Sequence, residues 1–197
     1  MTHARRLSAR DLALVASFAA LIAALGLAPS LYLFGSTVPI TLQTLGVMIT
    51  GSLLGWRRGA LAVGLFLLLV AAGLPLLSGG RGGISVFQGP SAGYLVGFFF
   101  GAAAIGWLVE RLWPRYPVWW GFAANVIGGI GVVYAIGVPV LMWRTGLHLD
   151  TALWSGAAIF LPGDFSKAIV ATVVAAGVHR GYPTLVQERE LVEARRR

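Results

Sequence analysis

Cysteine is absent from the 197 residues, which excludes disulfides, thiolate nucleophiles and Cys-ligated metals. Charge is scarce: 11% of residues are charged, against about 25% in a soluble domain. The three histidines, His3, His148 and His179, stand apart with no spacing that would gather them on a metal. The chain has no G-x-x-x-x-G-K-[ST] loop, so it carries no P-loop for ATP. What fills it instead is apolar, 57% of residues, with 27 glycines. Long apolar runs belong in a bilayer, and small residues let helices approach closely there. The formal charge of +8 is no nucleic-acid footprint, because the arginines sit at the ends of apolar runs and not along one face.

Six apolar spans are expected, over residues 11–28, 40–54, 60–77, 90–108, 118–142 and 151–178. Crossing the hydrocarbon takes about 20 residues, so residues 1–197 read as one integral membrane domain with no room for a second. The 40–54 span is short. The last is long and is interrupted at Pro162-Gly163, with 151–161 a lead-in and Gly163 to His179 the main helix. The first span lacks a small-residue cleavage site followed by a soluble domain, so it reads as retained.

Cation placement sets the orientation. Arg5, Arg6, Arg10, Arg57, Arg58, Arg111, Arg115, Arg180, Arg189, Arg195, Arg196 and Arg197 fall on one side, Arg81 and Arg144 on the other, and Lys167 within the apolar layer. The expectation is an all-α bundle of six transmembrane helices with both termini cytoplasmic. Trp56, Trp107, Trp113, Trp119 and Trp120 then lie near the cytoplasmic ends as an interfacial belt. The tail QERELVEARRR reads as a helix extension or a solvated end.

The segment FLPGDFSKAIVA, residues 160–171, sets Asp164 and Lys167 in otherwise lipid-compatible sequence. Each such charge costs roughly 2.5–3.5 kcal/mol on insertion scales, so its retention calls for a reason. At i and i+3 the two share a helix face. Pro162 suits a first helical turn, where unpaired N–H groups and the positive dipole end favour a carboxylate such as Asp164. Two uncharged or Gly-rich loops, PSLYLFGSTVPITLQT and SGGRGGISVFQGPSAGY, fall on the same outer side. Together these features predict a pocket opening outward for a small polar molecule. An internal ion pair that only joins helices is the plainer alternative. Two other functional readings are an intramembrane enzyme using Asp164 and Lys167 as acid and base, and a secondary transporter with Asp164 as its proton site. Ser166 beside Lys167 is not read as a nucleophile, because sequence neighbours point about 100° apart on a helix.

Rows of small residues occur at Ala16, Ala20 and Ala24, at Ala19 and Ala23, and at Gly93, Gly97 and Gly101. Packing inside the bundle explains any of them. Docking of another subunit is the alternative.

Three blocks resemble one known family. They are Val38-Pro39-Ile40-Thr41-Leu42-Gln43-Thr44 leading to Gly55, then Gly79-Gly80-Arg81-Gly82-Gly83 through Gly89-Pro90 to Gly93-Tyr94-Leu95, and Leu161-Pro162-Gly163-Asp164 with Lys167. In order and spacing they resemble the BioY family, the biotin-specific substrate-binding (S) components of energy-coupling factor transporters. Ser91-Ala92 stands where relatives often carry Thr-Gly. The resemblance implies a six-helix S component in a bacterial-type cell membrane that captures biotin from outside, has no cofactor and is not an enzyme. It implies ligand contacts at Asp164 and Lys167, with Thr41, Gln43, Arg81, Gly83 and Tyr94 as further candidates. Phe87, Leu42 and Phe160 are expected as apolar walls. Lys167 and Arg81 are both candidates for the ligand carboxylate. The resemblance also favours docking of Ala16, Ala20 and Ala24 on a transmembrane coupling subunit, with two ATPase subunits supplying energy.

Overall fold

A computed structural model describes residues 8–32, 36–111 and 116–182. Arg5, Arg6, Trp113, Arg115 and the tail QERELVEARRR lie outside the described residues. Within them the chain is helical, apart from two isolated β-bridges, Leu31 with Ile40 and Leu77 with Arg81.

Helix α1 spans Ala9–Gly26 and opens on a capping box. The Ser8 hydroxyl accepts from the Asp11 N–H, and the Asp11 carboxylate accepts from the Ser8 N–H. Helix α2, Gln43–Ala71, holds one non-helical residue, Gly55, at φ 76° and ψ −177°. Helix α3 covers Ala92–Glu110 after a short 3₁₀ turn at Ile84–Gln88. Helices α4 (Val118–Val126) and α5 (Val133–Thr145) are joined by a π-helical stretch, Ile127–Val132. A short α6 (Leu149–Leu153) and a second π stretch (Trp154–Ala158) lead into α7, Leu161–Gly181.

Among the described residues five helical segments are long and apolar enough to cross a membrane: Ala9–Gly26, Gln43–Ala71, Ala92–Glu110, Val118–Thr145 and Leu149–Gly181. The sequence predicts six, and the difference lies at Gly55. The spans expected over 40–54 and 60–77 overlap α2 on either side of this residue and overrun it at both ends. A straight helix of that length would run about 43 Å at 1.5 Å per residue. Yet Gln43 Nε2, at its start, donates to Leu76 O, just beyond its end, at 3.3 Å. Residues 43–54 and 56–71 therefore fold back on each other. Gly55 occupies a conformation open essentially to glycine alone. The Glu110 side chain packs where a Cβ on Gly55 would stand, and its carboxylate accepts from the Trp56 N–H at 3.2 Å. On the other side of the break, His179 of α7 meets Ser52 O at 3.0 Å. Both interrupted helix ends thus gain a side-chain partner.

The small-residue rows separate. Gly93, Gly97 and Gly101 lie against Val140, Val133 and Gly128, closely enough that a Cβ would meet them within about 3 Å. That row is bundle packing. Ala19 is buried in the core, whereas Ala16, Ala20 and Ala24 are exposed on the outer face of α1. Among the described residues the core comprises a small apolar cluster of Val15, Leu54 and Ala62 and two larger ones. One, around Phe66, Val63, Leu95 and Phe98, lies beneath the site, and the other, around Met48, Ile105, Ala168 and Ala171, fills the opposite half. The second cluster encloses a buried polar chain: Ser52 donates to Asn125 Oδ1 and Asn125 Nδ2 donates to Thr172, both at 3.1 Å.

Candidate functional site

The interruption expected at Pro162-Gly163 falls slightly earlier, at Ile159 and Phe160, and Pro162 and Gly163 themselves lie within the main helix. Trp154–Ala158 forms wide π turns, the chain turns at Ile159 and Phe160, and α7 begins at Leu161 with Pro162 in its first turn. Pro fits there because its missing N–H has no intrahelical partner to lose. Asp164 follows within the same turn, where unpaired N–H groups and the dipole favour its charge.

Asp164 and Lys167 are 4% and 8% exposed, and their Oδ1 and Nζ lie 2.6 Å apart. An unpaired charge at that depth would be costly, and the pairing offsets much of the cost. Tyr134 completes the group, its hydroxyl donating to Asp164 Oδ2 at 2.6 Å. Each carboxylate oxygen therefore holds one donor. Tyr134 sits just beyond the π stretch of Ile127–Val132. The extra residue in each π turn resets the phase of the helix that follows, and Tyr134 reaches the pocket from this reset register. Nothing in the apolar pattern of residues 118–142 singles it out. The one available signal is a phenol among the small and aliphatic residues that follow Asn125.

These three side chains lie in a pocket of ≈ 60 Å³ that brings together four parts of the chain. Val38 to Thr41 with Gln43 and Thr44 line it from the loop and start of α2, Leu77 and Arg81 from the loop after α2, Ser91, Tyr94, Leu95 and Phe98 from α3, and Val133 and Phe160 from the later helices. Of the residues singled out by sequence, Asp164, Lys167, Thr41, Gln43, Arg81 and Tyr94 all line it, as does the apolar Phe160. Gly83 does not. Its N–H donates to Val70 O at 2.8 Å and its φ of 86° turns the chain after α2. Leu42 and Phe87 are also outside the lining. Leu42 is 40% exposed at the N-terminus of α2, and Phe87 packs against the core. Ser91, Thr44 and Tyr134 are lining residues that sequence reasoning did not single out.

The lining polar groups differ in what they have left to offer. The Tyr94 hydroxyl is committed to Gly156 O at 2.7 Å, so Tyr94 presents mainly its ring, edge-on to Tyr134. Thr41 Oγ1 accepts from the Gln43 N–H, and the Gln43 amide N–H is committed to Leu76 O. Ser166 is exposed, donates to Pro162 O and lies outside the lining. Among the described residues no group of three His, Asp or Glu side chains could hold a metal.

The arrangement is a half-open, mostly apolar pocket with one ionic, hydrogen-bonding pole. Such a site binds a compact molecule with a polar head and an apolar body.

Comparison with known proteins bears on which molecule. A model of the BioY family matches residues 1–184. The chain is 50% identical over 184 residues to the biotin transporter BioY of Rhizobium etli, across 91% of this chain and 98% of that one. It is 46% identical over 191 residues to the biotin transporter BioY of Rhodobacter capsulatus, with the same coverage of 91% and 98%. Among solved structures it is similar to the S component for biotin from an ECF-type ABC transporter, at 33% identity and a TM-score of 0.83, covering 91% of this chain and 95% of that one.

Proposed function

The chain belongs to the BioY family, and from that premise we propose that it is the biotin-capturing S component of an energy-coupling factor transporter, and not an enzyme. The observation that carries the ligand is the pocket's composition. Biotin has a ureido head with two N–H donors and a strong acceptor, a compact thiophane ring and an aliphatic tail. Asp164 supplies acceptor oxygens and Lys167 and Tyr134 supply donors at one pole, while Leu95, Phe98, Val133 and Phe160 supply apolar wall. The ligand contacts in this reading are Asp164, Lys167, Thr41, Gln43 and the ring of Tyr94.

The proposed topology is six crossings in one domain, with both termini in the cytoplasm of a bacterial-type cell. The fold-back at Gly55 supports it, because it turns α2 into two passes. Charge supports the orientation: Arg10, Arg57, Arg58, Arg111 and Arg180 belong to the end opposite the pocket. There Arg58 pairs with Asp11 at 2.6 Å, and Arg111 stacks over Trp107 at 3.8 Å. The partners are a transmembrane coupling subunit and two ATPase subunits. Ala16, Ala20 and Ala24, exposed in a row on α1, form a face a coupling helix would fit closely.

Titration calorimetry of detergent-purified protein with biotin, wild type beside Asp164→Asn, tests the reading. Tight wild-type binding that collapses in the variant supports both ligand and site. A folded wild type that binds no biotin leaves the pocket without the proposed ligand.

A further inference from the structure

Helices α4 and α7 leave a groove between them on the outside of the bundle, in the half away from the ligand pocket. Val118, Trp119 and Phe122 line it from α4, and Ile169, Thr172 and Val173 from α7, around ≈ 580 Å³, a volume within the range of small-molecule sites. Its walls offer no free polar side chain. The Thr172 hydroxyl is turned inward, donating to Ala168 O and accepting from Asn125 Nδ2. Ile169 and Val173 are exposed, and Trp119 is 69% exposed. On helices that cross a membrane, such a groove faces acyl chains.

One end of the groove is not apolar. Two contacts fix the register of α4 against α7: Asn125 Nδ2 meets Thr172 Oγ1 at 3.1 Å, and the Tyr116 ring stacks on His179 at 4.7 Å between centroids. The helices therefore run antiparallel, with the start of α4 level with the last turns of α7. Arg180 lies two turns beyond Val173 and three beyond Ile169, on the same exposed face. Between them Gly177 leaves the way open, since nothing lies within 4 Å of where its Cβ would stand. The groove thus continues along α7 to a guanidinium.

The other cations at this end are engaged. Arg58 pairs with Asp11, and Arg57 and Arg111 lie over the rings of Trp56 and Trp107. Arg180 has no ion pair among the described residues. The two neighbouring tryptophans differ in the same way. Trp120 donates its indole N–H to Leu108 O at 3.0 Å. Trp119, set edge-on to Trp120, has no such acceptor among the described residues. An indole with a free N–H at a helix end belongs at the level of lipid headgroups.

We propose that this groove is a site for one anionic phospholipid, in the leaflet at the end opposite the pocket. An acyl chain lies between α4 and α7, and the phosphate is held by Arg180 and the Trp119 indole N–H. Basic clefts between membrane helices take anionic headgroups in this way. The site is separate from the ligand pocket and needs no ligand bound there.

Native mass spectrometry of the whole chain in detergent, titrated with phosphatidylglycerol or with phosphatidylcholine of the same acyl chains, tests the site. Wild type should retain one phosphatidylglycerol, about fivefold more tightly than phosphatidylcholine, the scale of one basic residue at a lipid surface. Arg180→Gln should reduce that preference to about twofold or less. Arg57→Gln removes the same charge at the same end, away from the groove, and should keep the preference. Val173→Trp fills the groove from an exposed position and should lose the retained lipid of either kind, with its elution profile and melting temperature unchanged. A preference lost equally in Arg57→Gln would mean diffuse attraction to the charged end and would overturn the site. So would a lipid still retained by Val173→Trp, or a wild-type dimer that this substitution dissociates, which would assign the groove to a second copy of the chain.

Discussion

Tyr134 donates to Asp164 on Oδ2, the oxygen opposite the one that Lys167 holds. The carboxylate is thereby fixed in plane by two donors from two helices before any ligand arrives, and such preorganisation lowers the ordering cost of binding. Tyr134→Phe removes one donor and leaves a buried carboxylate oxygen short of a partner. Biotin affinity should fall about 5- to 20-fold, within the range of a hydrogen bond to a charged group, with the melting temperature in detergent little changed. Wild-type affinity in this variant would remove Tyr134 from the site.

Asp164→Asn keeps the shape and removes the charge. Both the Lys167 ammonium and the ligand head lose their anionic acceptor. The expected cost is about 1.5–3 kcal/mol of biotin binding free energy, read by calorimetry. A loss well below 1 kcal/mol would mean that Asp164 serves mainly to tie α7 to Tyr134 of α5.

Gly55→Ala should destabilise the fold without touching the pocket. The backbone conformation alone costs about 1–3 kcal/mol for a residue with a Cβ, and the added carbon would displace the Glu110 side chain that caps Trp56. A lowered melting temperature with biotin affinity preserved in the surviving folded protein is the expected outcome. An unchanged melting temperature would argue against the sharp fold-back.

Asn125→Leu removes the amide that links Ser52 to Thr172 across three helical segments. Interhelical hydrogen bonds of this kind contribute about 0.6 kcal/mol on average within membranes, and up to about 1.7. Thermal stability should fall by that order while biotin affinity holds. A loss of affinity would instead couple this chain to the pocket.

Replacing Ala16, Ala20 and Ala24 with leucine adds bulk to an exposed row. The isolated subunit should bind biotin as before, since none of the three lines the pocket. Co-purification with a coupling subunit should be lost. A complex that survives all three substitutions would place the docking face elsewhere on the molecule.

Sequence alone determined the medium, the charged pair and the segments that would close a pocket around it. The reason is that lipid tolerates so little. In a chain with 11% charged residues, Asp164 and Lys167 stand out by cost alone, and glycine-rich loops are visible because few residues take their conformations. Tertiary structure decided three other things. It showed that α2 folds back at Gly55, since a single residue's dihedral angles leave no trace in hydropathy. It brought Tyr134 onto Asp164, because a π stretch shifts helical phase in a way that a 3.6-residue pattern does not anticipate. It turned Ala16, Ala20 and Ala24 outward while Gly93, Gly97 and Gly101 were consumed by α5 and the π stretch before it. The rows share the same spacing, and which face meets a neighbour depends on how the helices pack.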